Sequence, residues 1–334
     1  MEIMPSLDKR DYQILFELDS HARQSISDIA RKTRLSRDVI NYRITRLEEM
    51  GIIKGYFTVI NFGVLVSHIV RLYVRLQNTT PEIEEKMTSF LLKNKNILTV
   101  YSVDGFYHMA VGFLVNELAD YKAFYNEFLK HFRRYVVGDN VSFFVEYVHY
   151  PRNYLVESKM RRFTSLSVSG SKLFPSGIKD LDTKDLELLS LIKEDARITL
   201  LELAAKLEMT AAGAKYKLRR LEKNKVIVGY KVLLDIGKLG YDYYKVDLML
   251  EDLSILLSLQ EFILRHPNII YQDITVGGSD FEFDGEFKSQ EDFYSFMDEL
   301  RSLFPGKIRS YHYYKARKIY KYSYFPESLV KKSR

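Results

Sequence analysis

DIARKTRLSRDVINYRITRLEEMG, residues Asp28 to Gly51, decides how this chain is read. It opens as a short amphipathic run, breaks at Thr33-Arg34-Leu35, and restarts behind Ser36, a residue suited to capping a helix N-terminus. At the α-helical period, Arg37, Asp38, Asn41, Tyr42 and Thr45 fall on one arc, while Ile40, Ile44 and Leu47 fall on another. One face can pack and the other can reach outward, which is the shape of a helix-turn-helix.

Working outward, the stretch belongs to a unit that occurs twice. Leu7-Asp8 recurs as Leu181-Asp182, and the same offset carries Ala22-Arg23 onto Ala196-Arg197, Tyr42 onto Tyr216, Arg46-Leu47-Glu48 onto Arg220-Leu221-Glu222 and Gly55-Tyr56 onto Gly229-Tyr230. The helix-start signals recur with it. Asp8 and Asp182 each precede an acid by three residues, Ser25 with Asp28 matches Thr199 with Glu202, and Ser36 matches Thr210. Each copy is therefore expected to be three helices closed by a strand.

After each unit the period changes from 3.6 to 2. In the first copy the order is strand (69–76), helix (81–92), two strands (97–103 and 109–115), helix (118–132) and strand (141–148). The second copy repeats it, ending on a strand over 308–314. This βαββαβ order is ferredoxin-like. The fold class expected is α+β: a tandem repeat of winged helix-turn-helix and ferredoxin-like domain. The expected divisions are 1–60, 61–155, a Ser-, Gly- and Lys/Arg-rich linker at 156–178, 179–235, 236–326 and a basic tail at 327–334.

Composition narrows the class without naming a partner. The chain has 334 residues, 46% of them hydrophobic, enough for several packed cores, and its net charge of +6 permits an anionic partner. The absence of cysteine excludes disulfides, thiolate metal sites and a cysteine nucleophile. Neither a secretory signal nor an uninterrupted apolar span is visible, so the expectation is a soluble cytoplasmic protein with no membrane partner. Seven histidines without an i,i+4 pair give no metal signature, no phosphate loop or nucleophile elbow is present, and no cofactor is expected.

Residues 7–56 and 181–230 resemble the winged helix-turn-helix of the Lrp/AsnC transcriptional regulators, and the βαββαβ halves resemble that family's RAM domain, most clearly over His266 to Phe283. The resemblance implies double-stranded DNA as partner and no catalysis. Fusion of two units implies a pseudo-dimer within one chain, with further homo-oligomerisation as the RAM sheets pair. It also implies an amino acid or similar effector near the turns Asp104-Gly105 and Gly277-Gly278-Ser279-Asp280. A tight hairpin turn would demand the same glycines.

On the DNA face, Arg37, Asn41, Tyr42 and Thr45 are candidates for base readout, because Arg suits guanine and Asn suits adenine in the major groove. Arg31, Lys32, Arg34, Arg46 and Lys54 are candidates for phosphates. In the second copy Ala211, Ala212 and Gly213 replace Arg37, Asp38 and Val39. Lys215, Tyr216 and Arg219 remain there, so that copy is expected to contribute charge more than readout. Two other readings stay open. Siroheme decarboxylases resemble Lrp/AsnC proteins and use two related subunits, and a scaffold that no longer touches DNA is also compatible. The Tyr- and Lys/Arg-rich run from Tyr311 to Phe325 is read as strand and interface packing rather than single-strand stacking.

Overall fold

The computed structural model describes residues 6–65, 68–170, 181–193, 195–323 and 325. The first unit is α1 (Lys9–Ser20), α2 (Ile26–Thr33), α3 (Arg37–Glu49) and β1 (Ile53–Ile60). Next come β2 (His68–Leu76), α4 (Pro81–Leu92), β3 (Ile97–Gly105), β4 (Met109–Val115), α5 (Leu118–Phe132) and β5 (Val136–His149). β6 (Leu166–Ser169) precedes the second unit: α6 (Thr183–Ile192), α7 (Leu200–Lys206), α8 (Ala211–Lys223) and β7 (Ile227–Leu234). The last half is β8 (Asp242–Leu250), α9 (Leu256–Arg265), β9 (Ile269–Val276), β10 (Phe281–Phe287), α10 (Gln290–Leu303) and β11 (Ile308–Tyr322).

The expected caps form. Asp8 accepts from the amides of Arg10 and Asp11 while Asp11 returns a bond to Asp8, and Asp182 with Asp185 repeats the exchange. Ser36 accepts from the Val39 amide and Thr210 from that of Gly213, so both recognition helices start where the sequence placed them.

Eight strands close on themselves in the order β2-β4-β3-β11-β8-β10-β9-β5 and back to β2, all antiparallel, with β6 added beside β5. Each βαββαβ half supplies four neighbouring strands. The two halves meet at two seams, β3 with β11 and β5 with β9. Two strands outrun their sequence-predicted ends: β11 continues to Tyr322 because its extra residues pair with β3 of the other copy, and β5 starts at Val136 because residues 136–140 pair with β2 of its own copy. Part of the segment expected to be linker, Leu166–Ser169, is strand, pairing with residues 146–149 of β5. The rest of the expected linker from 171 onward, and the basic tail, lie outside the described residues.

Alternation along each barrel strand sorts its side chains. Val70, Leu72 and Val74 face outward onto α4 and α5, and Val246, Leu248, Phe281, Phe283 and Phe287 face α9 and α10. The intervening residues point into the barrel. There the alternation delivers Arg71, Tyr73, Tyr243, Lys245, Asp247, Asp273, Glu282, Asp284 and Glu286, each buried or nearly so. Gly105 (φ 138°) and Gly277 (φ 84°) sit on the two seams. A Cβ would come within 2.6 Å of the Tyr313 carbonyl at the first and 2.8 Å of the Val141 carbonyl at the second. Close backbone approach thus requires both glycines.

Candidate nucleic-acid interface

The two three-helix units are joined by a shared two-stranded sheet, β1 antiparallel to β7, running from Ile53 opposite Leu234 to Ile60 opposite Ile227. Reciprocal bonds flank it. The Ala22 amide donates to Tyr230 O and the Ala196 amide to Tyr56 O, both at 2.9 Å. Arg23 Nη1 donates to Ala196 O at 2.6 Å and Arg197 Nη1 to Ala22 O at 2.5 Å. The same contact made twice in opposite directions is the mark of a pseudo-twofold relation, and it holds α3 and α8 in one fixed geometry.

On α3, Ile40, Ile44 and Leu47 are buried with Ile14, Phe16 and Ile29, while Arg37, Asn41, Tyr42 and Thr45 are exposed. Tyr42 is 68% exposed and its counterpart Tyr216 on α8 is 67% exposed, unusual for a tyrosine and the same in both copies. Lys215 and Arg219 are exposed beside Tyr216. Arg34 ends α2 in a left-handed conformation (φ 57°), and Glu208 does the same in the second copy (φ 52°), so the sharp turn is conserved in backbone though not in charge.

The candidate phosphate contacts divide. Arg31 is anchored to Asp28 and Lys32 to Glu17 and Gln24, and both remain exposed. Lys54 is paired with Asp235 at 2.7 Å across the shared sheet. Arg46 turns inward, its Nη2 donating at 2.6 Å to the buried Asp11, whose other oxygen takes Arg43 at 2.7 Å. Asp185 with Lys217 and Arg220 forms the same clamp in the second copy. These cations fasten α3 and α8 to α1 and α6. Recurrence of Asp11, Arg43 and Arg46 as Asp185, Lys217 and Arg220 was a visible signal that the charges serve each other.

The turns expected to hold an effector are not brought together. Asp104 and Gly105 lie at one seam, and Gly277, Gly278 and Asp280 at the other. Asp280 accepts from the Leu250 amide at 2.7 Å, and Glu282 accepts from Thr275 and from the Ser279 amide, filling the second turn from within.

A further charged cluster ties the first unit to the barrel. Arg152 donates to Asp19 of α1 at 2.6 Å and, in a two-pronged contact, to Glu286 of β10 at 2.9 and 3.0 Å. Lys231 of β7 lies 3.3 Å from Asp19, and Tyr154 donates to Glu286. Burial works against the Arg152 charge, but Glu286 and Asp19 more than offset it and hold its pKa well above the ordinary value.

Comparison with known proteins agrees with this geometry. A family model described as winged helix-turn-helix DNA-binding matches residues 7–54 and again 181–228. An HTH-type transcriptional regulator of Pyrococcus furiosus is 32% identical over 133 residues, 39% of this chain and 83% of that protein. The proline dehydrogenase transcriptional activator of Rhodobacter capsulatus is 29% identical over 36% of this chain and 79% of its own length. Among solved structures, the siroheme decarboxylase NirDL superposes with a TM-score of 0.62 at 12% identity, covering 97% of this chain and 96% of that one, a likeness of fold.

Proposed function

Because the chain belongs to the Lrp/AsnC family of winged helix-turn-helix transcriptional regulators, in a duplicated form, we propose that it controls transcription by occupying a duplex site with both recognition helices at once. The observation that carries this reading is the pair of exposed helix faces fixed by the β1–β7 sheet. Arg37, Asn41, Tyr42 and Thr45 read bases from α3. Arg31, Lys32 and Arg34 flank them on phosphates. α8 contributes phosphate attraction through Lys215 and Arg219, with Tyr216 on the same face. The operator is therefore lopsided, with its information concentrated in one half-site.

The test is selection of a preferred duplex followed by anisotropy titration over a range of salt. Each neutralised phosphate contributes about −0.9 to the slope of log K against log salt. Five basic contacts predict a slope of roughly −4 to −5. A dissociation constant independent of salt, or no binding at low salt, refutes the proposal. Light scattering of the complex measures whether chains pair further and present four helices.

The whole-length fold match favours a second reading, a tetrapyrrole enzyme. Against it, the cavity in the barrel has a volume of about 130 Å³. That is below the ~300 Å³ at which pockets begin to hold drug-sized ligands, and a tetrapyrrole is larger again. Stoichiometric visible absorbance on adding siroheme would transfer the conclusion to the enzyme.

A further inference from the structure

We propose that the barrel interior is a binding site for a small organic cation: a primary ammonium carried on an apolar body about the size of one aromatic ring. This goes beyond the DNA-binding reading and places a ligand inside the barrel.

The cavity of about 130 Å³ is walled by aromatic rings, Tyr73, Tyr101, Tyr147, Tyr243, Tyr314 and Phe144 among them. A cavity of roughly 150 Å³ lined by apolar groups accepts benzene, so the volume suits a single ring. An eight-stranded barrel is wide enough to be filled by side chains or to hold one small ligand.

The charges choose the sign of the occupant. Asp273 and Asp284 line the cavity together with Arg71 and Lys245, and Asp247 and Glu282 are buried around them. Arg71 donates to Asp273 at 2.6 Å and to Glu282, and Lys245 to Asp273 at 2.5 Å and Asp284 at 2.9 Å. Both cations therefore fall on the same Asp273 oxygen, Oδ2. Its Oδ1 has no hydrogen-bond partner among the described residues, and Asp273 lines the cavity while only 4% exposed. Asp247 is buried nearby without lining the cavity, its Oδ2 taking the Tyr314 hydroxyl at 2.7 Å.

A buried acceptor left unsatisfied is costly, and an incoming N⁺–H is the donor that supplies the missing bond to Asp273 Oδ1, charge-assisted on both sides. Tyrosine faces add cation–π attraction, as Arg71 already displays with its guanidinium 4.6 Å from the Tyr73 ring centre and 5.0 Å from that of Phe144. Arg71 Nε is also without a hydrogen-bond partner among the described residues, and a hydroxyl or carbonyl on the ligand body would meet it. An anion would meet the unpaired Asp273 oxygen with no donor to give it.

Calorimetric titration of the full chain with benzylamine, benzyl alcohol and benzoate tests the assignment. Benzylamine is expected to bind at one site per chain and raise the melting temperature, benzyl alcohol to bind at least tenfold more weakly, and benzoate not to bind. Asp273→Asn, which keeps shape and removes charge, should weaken benzylamine at least tenfold. Should that variant fail to fold, Ala110→Leu decides, since it fills the cavity from β4 without touching the charges, and it should abolish binding. Benzoate binding as well as benzylamine, no saturable binding by benzylamine up to millimolar concentration, or unchanged binding in Ala110→Leu would each overturn the proposal.

Discussion

Replacing Arg152 with methionine tests how the barrel is joined to the first helical unit. The guanidinium supplies the Nη1 bond to Asp19 and the two-pronged contact with Glu286, all among side chains less than a tenth exposed. Methionine keeps the backbone amide bond to Asp19 at 2.9 Å, and Asp19 keeps Lys231. Glu286 keeps the Tyr154 hydroxyl and loses its cation. Removing one partner of a buried ion pair costs roughly 3–5 kcal/mol, because the remaining charge is left uncompensated. With a urea dependence near 3 kcal/mol per molar, this lowers the unfolding midpoint by about 1 M or more. Adding Glu286→Gln removes the stranded charge and should return part of the loss, so the double variant is more stable than the single one. A midpoint shift below ~0.2 M, or a double variant no more stable than Arg152→Met, refutes the reasoning; the ~1 M expectation rests on the same slope.

Three further outcomes are expected. Asn41→Ala should cost about 1–3 kcal/mol on the selected duplex and little on random sequence, whereas Lys215→Ala should weaken all duplexes alike and reduce the salt slope by about 1; competition binding separates them. Gly105→Val should destabilise by more than ~1 kcal/mol in urea unfolding, since it meets both a left-handed backbone and the Tyr313 carbonyl, while Gly306→Ala (φ 69°, open space around it) should incur only the backbone strain. Burial and the Glu282 charge push Asp247 up to about 7 against its ordinary 3.8, with Lys245, Arg71 and the Tyr314 hydroxyl opposing and Tyr73 and Tyr107 also near. A raised carboxyl stabilises the fold while protonated, fully below the unfolded value, and that stability is lost as pH rises through the folded value. Wild type should therefore lose roughly 1 kcal/mol relative to Asp247→Asn between pH 6 and pH 8, and a pH-independent gap contradicts this.

The helical units were legible because their signals are local: a cap and its partner lie three residues apart, and the packing arc recurs within one turn. The alternating strands were legible for the same reason. Barrel closure was not, since it depends on β3 meeting β11 and β5 meeting β9, strands far apart in the chain, and nothing near Phe143 or Tyr322 announces it. The interior charges were hidden by their own regularity. In Phe281-Glu282-Phe283-Asp284-Gly285-Glu286-Phe287 the acids occupy the positions that water would fill in an open sheet, and only closure buries them. The exposure of Arg37, Asn41, Tyr42 and Thr45 followed from periodicity, whereas the inward turn of Arg46 depended on Asp11, distant in sequence.

The pseudo-twofold sheet between β1 and β7 also has an evolutionary meaning. In a homodimer every substitution is expressed twice, so a change that suits one half-site is imposed on the other. Here one covalent chain carries both halves, and each can drift alone: Arg37 corresponds to Ala211, Gly51 to Lys225 and Arg34 to Glu208. Assembly of the pair is also first-order, so its occupancy of a site does not fall away with dilution as that of a dissociating pair does.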